Sequence, residues 1–153
     1  VDAQDGRRTI DVAQMAYGYR TSMLKARADR RFLVLDALMQ LMPDDPAQIE
    51  ARMDGFIEQR KRTQPPGASL GSIFKNPPGD YAGRLIEAAG LKGCAIGGAQ
   101  VSPVHANFFI NRGGAAARDY YALIAHVRET VAAQFGVWLE PEIEILGENL
   151  KKF

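Results

Sequence analysis

The apolar positions change their spacing along the chain, and each change marks an element. Tyr120, Leu123, Ile124, Val127, Val131 and Phe135 recur every three or four residues, the single stripe of an amphipathic helix. That spacing predicts a helix over about 117–135, closed by Gly136, which tolerates the left-handed terminating conformation. A second helix is predicted from Asp45 to about Arg62. Asp45 suits the N-cap, Pro46 the first turn and Gln48 the third position, and Ile49, Met53, Phe56 and Ile57 form the stripe. A shorter helix is predicted over about 81–89. Asp80 can cap it, Ala82, Leu85, Ile86 and Ala89 face one way, and Gly90 ends it.

Other segments read as strands. Val1-Asp2-Ala3 and Arg8-Thr9-Ile10 flank the turn signal Asp5-Gly6 and suggest a hairpin. The run from Arg31 to Leu41 is β-branched and aromatic at its front and is stopped by Pro43. It reads as a strand, although periodicity alone admits a buried helix. Cys94–Ile96 and Asn107–Asn111 are two further strands, with Gly97-Gly98 marking a bulge or a close backbone approach. A last strand is predicted over Val137–Leu146. Alternation there puts Leu139, Pro141, Ile143 and Ile145 on one face and Glu140, Glu142 and Glu144 on the other. Gln64-Pro65-Pro66-Gly67-Ala68-Ser69 reads as a linker or an approach to a site. Strands, a helix, then mixed elements make an α+β chain.

Composition narrows the classes. The 153 residues are 46% apolar and 24% charged, too apolar and too evenly charged for disorder. Nothing approaches the roughly 18 uncharged apolar residues of a membrane span. Cys94 is the lone cysteine, which excludes an internal disulfide and a multi-cysteine zinc site, and a reduced cytoplasmic setting is expected. A net charge of +1 gives no general attraction for nucleic acid. Locally the balance differs: Arg20, Lys25, Arg27, Arg30 and Arg31 face a single Asp29, and Arg60-Lys61-Arg62 follow. These are either solvated charges or an attraction for an anionic small molecule such as a diphosphate.

Candidate chemistry gathers in Gly71-Ser72-Ile73-Phe74-Lys75-Asn76-Pro77-Pro78. Ser72 and Lys75 have acyl-serine spacing, but that motif needs a helix, and Pro77 disfavours helical geometry at Asn76. No phosphate-loop or dinucleotide glycine motif occurs. His105 and His126 lack metal-pair spacing, so no metal site is expected. His126 reads as a surface residue and His105 as a ligand contact or a loop anchor. From the residues alone no reaction can be named.

Five blocks carry a resemblance. They are Tyr19-Arg20-Thr21-Ser22, Gly71 to Pro77, Ala82 to Gly93, Gly98 to Phe108, and Leu139-Glu140-Pro141-Glu142. In this order they resemble the MurB family, the UDP-N-acetylenolpyruvoylglucosamine reductases of peptidoglycan precursor synthesis. The resemblance implies a flavoenzyme in which NADPH reduces FAD and a hydride passes to the enolpyruvyl group of UDP-N-acetylglucosamine enolpyruvate. It makes Ser72 the general acid and places Arg20 and Glu142 at the other two catalytic positions. Tyr19, Lys75, Asn76 and His105 map to substrate-binding positions.

The short link from Pro77 to Tyr81, and the absence of room for a capping loop after Arg20, resemble the type II branch. Ala116 stands where a Thr helix cap is common. The resemblance also implies that residues 1–44 end an FAD-binding domain, 45–64 form a connecting helix, and 65–153 form the substrate-binding carboxy-terminal domain. The amino-terminal FAD-binding half would be a partner outside this sequence, so the 153 residues alone are expected to hold FAD weakly and to be inactive. The alternative is a non-catalytic nucleotide-sugar-binding module of the same fold.

Overall fold

A computed structural model describes residues 6–29 and 31–146. The chain divides into two compact units, Val1–Asp45 and Pro46–Phe153. Its elements in order are α1 (Met23–Ala26), α2 (Pro46–Thr63), β1 (Ser69–Ser72), α3 (Ala82–Ala88), β2 (Ala95–Ile96), β3 (Ala99–Val101), β4 (Phe108–Asn111) and α4 (Ala117–Phe135).

The first unit is built from turns. Gly18 and Thr21 exchange backbone hydrogen bonds of 3.2 Å across Tyr19 and Arg20. Ser22 caps α1 by accepting from the Lys25 amide at 3.2 Å. Residues 33–41, expected as a strand, carry no regular secondary structure. Phe32 makes an isolated bridge, but no ladder runs on from it through residues 33–41, and a strand needs one for its N–H and C=O groups. Of the expected hairpin, Val1-Asp2-Ala3 lies outside the described residues, and Arg8-Thr9-Ile10 forms no strand.

In the second unit the four strands make one antiparallel sheet in the order β1-β4-β3-β2. Helix α4 lies against β2 and β3 and touches α3. Its predicted stripe is largely correct. Leu123, Ile124, Val127 and Val131 are buried, joined by Ile73, Phe74, Leu85, Ile86, Val101, Phe109 and Leu139 in one core. Phe74 and Phe109 meet edge to face, with ring centroids 6.1 Å apart. Phe135 is half-exposed, and Arg128 takes a buried place beside the stripe.

Local signals account for the ends of the helices. Gly136 closes α4 at φ +68°, and Gly90 follows α3 at φ +74°. Asp119 accepts the amides of Ala116 (3.0 Å) and Gly98 (3.1 Å), so one carboxylate both caps α4 and holds the β2–β3 turn. Those donors, Ala116 first, lower its pKa. Ala116 has no side-chain oxygen to reciprocate, leaving half of a capping box. Asp80 is not the cap of α3: it pairs with Arg84 and accepts the Tyr81 amide, while Asn76 Oδ1 receives the Ala82 amide at 3.1 Å.

Two sheet predictions need correction. Strand β3 was hidden in the glycine-rich stretch, and the expected strand Val137–Leu146 shrinks to a single bridge, Phe74 with Pro141. Proline has no N–H to extend a ladder. The stripe of α2, Ile49, Met53, Phe56 and Ile57, is exposed, and the helix has no buried residue. None of the described helices is long and apolar enough to cross a membrane.

Candidate active site

Ser72 ends β1, where the strand register slips. Ser69 pairs with Ile110 and Ser72 with Phe108, so β1 carries one extra residue. Gly71 absorbs it at φ +74°, the signature of a bulge that re-aims the next side chain. Past the bulge the chain leaves the sheet but stays tightly held. The Ile73 amide donates to the Asn107 carbonyl at 2.9 Å, and the Ile73 carbonyl accepts the Glu142 amide at 2.7 Å. The buried Asn107 side chain then grips both polar groups of Phe74: Oδ1 accepts its N–H at 3.0 Å, and Nδ2 donates to its C=O at 2.8 Å. The Lys75 amide donates to the Glu140 carbonyl at 2.9 Å.

Ser72 and Glu142 therefore flank one residue, Ile73, and are brought together by it. Ser72 is half-buried, and its hydroxyl makes no hydrogen bond among the described residues. Glu142, expected on one strand face with Glu140 and Glu144, is half-buried, while those two are exposed. The Lys75 ammonium pairs with the Glu140 carboxylate, which keeps a cation on the loop beside Ser72. Asn76, as the cap of α3, ties the end of the same loop to a helix.

His105 sits at the next turn. Its amide and that of Val104 both donate to the buried Ser102 hydroxyl, at 3.3 and 3.1 Å. Its Nδ1 accepts the Asn107 amide at 3.2 Å, which assigns the neutral tautomer protonated on Nε2. Burial lowers its pKa, consistent with that form. The ring lies edge-on to Phe108 and against Gly83, where a Cβ would stand 3.1 Å from Cε1. His105 is thus a loop anchor whose Nε2–H is the group left to donate. His126 is exposed.

Arg128 approaches from below the carboxy-terminal segment. It is 6% exposed, its Nε donates to the Leu139 carbonyl at 2.8 Å, and its guanidinium lies 4.5 Å from the Trp138 ring centroid. It fixes the stretch that leads into Glu140 and Glu142. Burial lowers its pKa.

Tyr19 and Arg20 belong to the first unit. Both are exposed at the tip of the Gly18–Thr21 turn, and the Arg20 guanidinium lies 5.9 Å from the Tyr19 ring centroid. Arg20 adopts φ +56°, a left-handed conformation that costs a non-glycine residue roughly 1–3 kcal/mol. The described residues include no cluster of three or more His, Cys, Asp or Glu able to hold a metal. Asn107 and Arg128 escaped the sequence reading as site residues. Asn107 stood inside a quoted block, and Arg128 falls one position beyond Val127 on the helical stripe.

Residues 62–146, which span the sheet, the pinned loop and α4, match the family of the UDP-N-acetylenolpyruvoylglucosamine reductase carboxy-terminal domain. The chain belongs to the MurB family. A reductase of that name from Chloroflexus aggregans is 49% identical over 137 residues, covering 88% of this chain and 46% of the relative. One from Alkalilimnicola ehrlichii is 56% identical over 113 residues, covering 73% and 38%. The crystal structure of MurB from Thermus caldophilus superposes with a TM-score of 0.68 at 35% identity, covering 86% of this chain and 46% of that one. The chain thus spans about half the length of the MurB relatives it matches. The α+β fold of the MurB carboxy-terminal domain is the one observed, with its helices and antiparallel sheet.

Proposed function

We propose that this chain is the substrate-side portion of an enzyme that reduces UDP-N-acetylglucosamine enolpyruvate to UDP-N-acetylmuramate, with NADPH and FAD, in the cytoplasm. The observation that carries the reading is the joint fixing of Ser72 and Glu142 on the two sides of Ile73. The names of the relatives supply the substrate class. FAD, reduced by NADPH, is the group that would supply the hydride. FAD is assigned to the amino-terminal half of the protein, as the family resemblance implies, and the residues named below are assigned to the substrate.

In this reading the chain's own residues manage charge and protons. Arg20 pairs the substrate carboxylate and stabilises enolate charge at C2. Its left-handed backbone supports that role, because strained residues persist where they serve a site. Ser72 donates the proton to C2. A hydroxyl is a weak acid, yet it suffices opposite a strongly basic carbanion when held in line. Glu142 stands beside the enolpyruvyl group. Tyr19, Lys75, Asn76 and the Nε2–H of His105 bind the rest of the substrate, Lys75 shared with Glu140.

The test is Ser72→Ala in the full-length protein, followed by stopped flow in two halves. Flavin reduction by NADPH should proceed at a near-normal rate. Turnover of the enolpyruvyl substrate should fall ~10²–10⁴-fold, the usual cost of a lost general acid, with affinity little changed. Equal slowing of both halves would make Ser72 a structural part of its loop and overturn the assignment. A colourless, inactive full-length protein would overturn the reductase reading itself.

A further inference from the structure

The carboxamide of Asn107 does something a strand neighbour normally does. Where β1 leaves the sheet after its bulge, Phe74 stands opposite Pro141 in a single bridge. The hydrogen bonds of that bridge belong to Ile73 and Lys75, and the place of a hydrogen-bonding strand neighbour for Phe74 itself is left open. The Asn107 side chain takes that place, accepting the Phe74 N–H at 3.0 Å and donating to its C=O at 2.8 Å. Its own carbonyl accepts the Ile73 amide at 2.9 Å. Its own amide is fixed on His105 Nδ1. One residue, 4% exposed, thereby holds three of the four backbone polar groups of the two residues that follow Ser72. The fourth, the Ile73 carbonyl, is held by the Glu142 amide.

We infer that Asn107 is a positioning residue for the reaction: through Phe74 and Ile73 it sets where the Ser72 hydroxyl and the Glu142 carboxylate stand relative to each other. The inference rests on the catalytic roles proposed above for those two residues. A catalytic group is productive only within about 0.5 Å of its working geometry, and a misplacement of about 1 Å costs on the order of 10²-fold. The planar amide suits this task because it presents one acceptor and one donor side by side, matching both groups of a single residue. Asn107 touches no reacting atom in this account and acts only through the backbone it grips.

Asn107→Asp in the full-length, flavin-loaded enzyme tests it. A neutral carboxylic acid reproduces both bonds, accepting at one oxygen and donating from the other. An ionised carboxylate cannot donate and sets its charge against the Phe74 carbonyl. Burial raises the pKa of such a carboxyl, so the two forms exchange within the working pH range. The ratio of variant to wild-type rate in the substrate half-reaction should rise at least ~10-fold from pH 8 to pH 5.5, given the ~10²-fold cost of misplacement. The flavin-reduction ratio should stay flat.

Asn107→Ser, which keeps a small polar group, should lower kcat ~10-fold or more while substrate Kd stays within about threefold, the signature of lost positioning. A flat ratio for Asn107→Asp across pH would overturn the inference. So would a folded Asn107→Ser enzyme with kcat within twofold of wild type. A wild-type enzyme that does not turn over the enolpyruvyl substrate would instead strike the functional reading, and that control separates the two failures.

Discussion

Replacing Arg128 by Met removes a charge while keeping most of the volume, and the structure allows its cost to be worked out. The Nε bond to the Leu139 carbonyl, 2.8 Å and buried, is a charged-donor bond worth about 1.5–3 kcal/mol. The guanidinium over Trp138 at 4.5 Å adds about 0.5–2 kcal/mol. Against this, Met removes the burden of a buried cation, which in other cores has favoured apolar replacement by about 1–4 kcal/mol. The deciding feature is the Leu139 carbonyl, which stays buried without its donor at a cost of about 1–3 kcal/mol. We expect a net loss near 2 kcal/mol, or about 8–16 °C in Tm for a unit of this size.

Trp138 is the single tryptophan and stands under the mutated side chain, so its fluorescence in a urea or thermal melt reports the event where it occurs. Arg128→Lys should lie between the two proteins, keeping charge but not the planar stack or the Nε geometry. If Arg128→Met melts within about 2 °C of wild type or above it, burial of the cation outweighs the bond, and the anchoring role assigned to Arg128 is wrong.

Two further outcomes follow from geometry and charge. Gly98→Ala would place a Cβ 2.6 Å from the Ala115 backbone, where nothing flexible can yield, and should cost about 3 kcal/mol or prevent folding. Gly136→Ala meets open space at φ +68° and should cost only about 1–2 kcal/mol, so chemical denaturation of the pair separates clash from backbone strain. His105 has its pKa lowered by burial, so the unfolded chain binds its proton first. Stability should hold above about pH 6.5, the ordinary histidine value, and fall as pH drops toward the folded pKa. An NMR titration of the ring, run beside melts at several pH values, checks the sign, and a His105 that titrates above 6.5 would contradict it.

The long helix was legible because its stripe and its closing glycine are both local. The sheet was not, because its strands are two to four residues long and their pairing depends on partners far along the chain. Gly71, which weakens any strand pattern, lies inside β1. Pro141 sits in the middle of the alternation that suggested the last strand. The alternation of Glu140, Glu142 and Glu144 is real, but without a ladder it no longer dictates exposure, and Glu142 turns half inward. Residues 31–41 look like a strand because they are largely apolar, yet only Phe32 stands in a bridge and no ladder extends from it. The cluster of Ser72, Lys75 and Asn76 stood out by composition, and its roles came from the resemblance. Asn107 and Arg128 could not be read from any window, since a buried polar side chain is defined by the distant backbone it satisfies.

The bonds that make the site are among the longest-range in the protein. Asn107 and Phe74 are 33 residues apart, and Lys75 and Glu140 are 65 apart. Each contact must close a large loop before it returns any energy, and such contacts form late in folding. Until β4 has docked and the chain beyond α4 has come back to bridge Phe74, Ser72 stands at the end of an unsupported strand. A partly folded or carboxy-terminally nicked molecule could keep α4 and much of its secondary structure and still have no site. The Ser72–Glu142 arrangement would then mark the last stage of folding, arriving after the helical signal has already reached its final value.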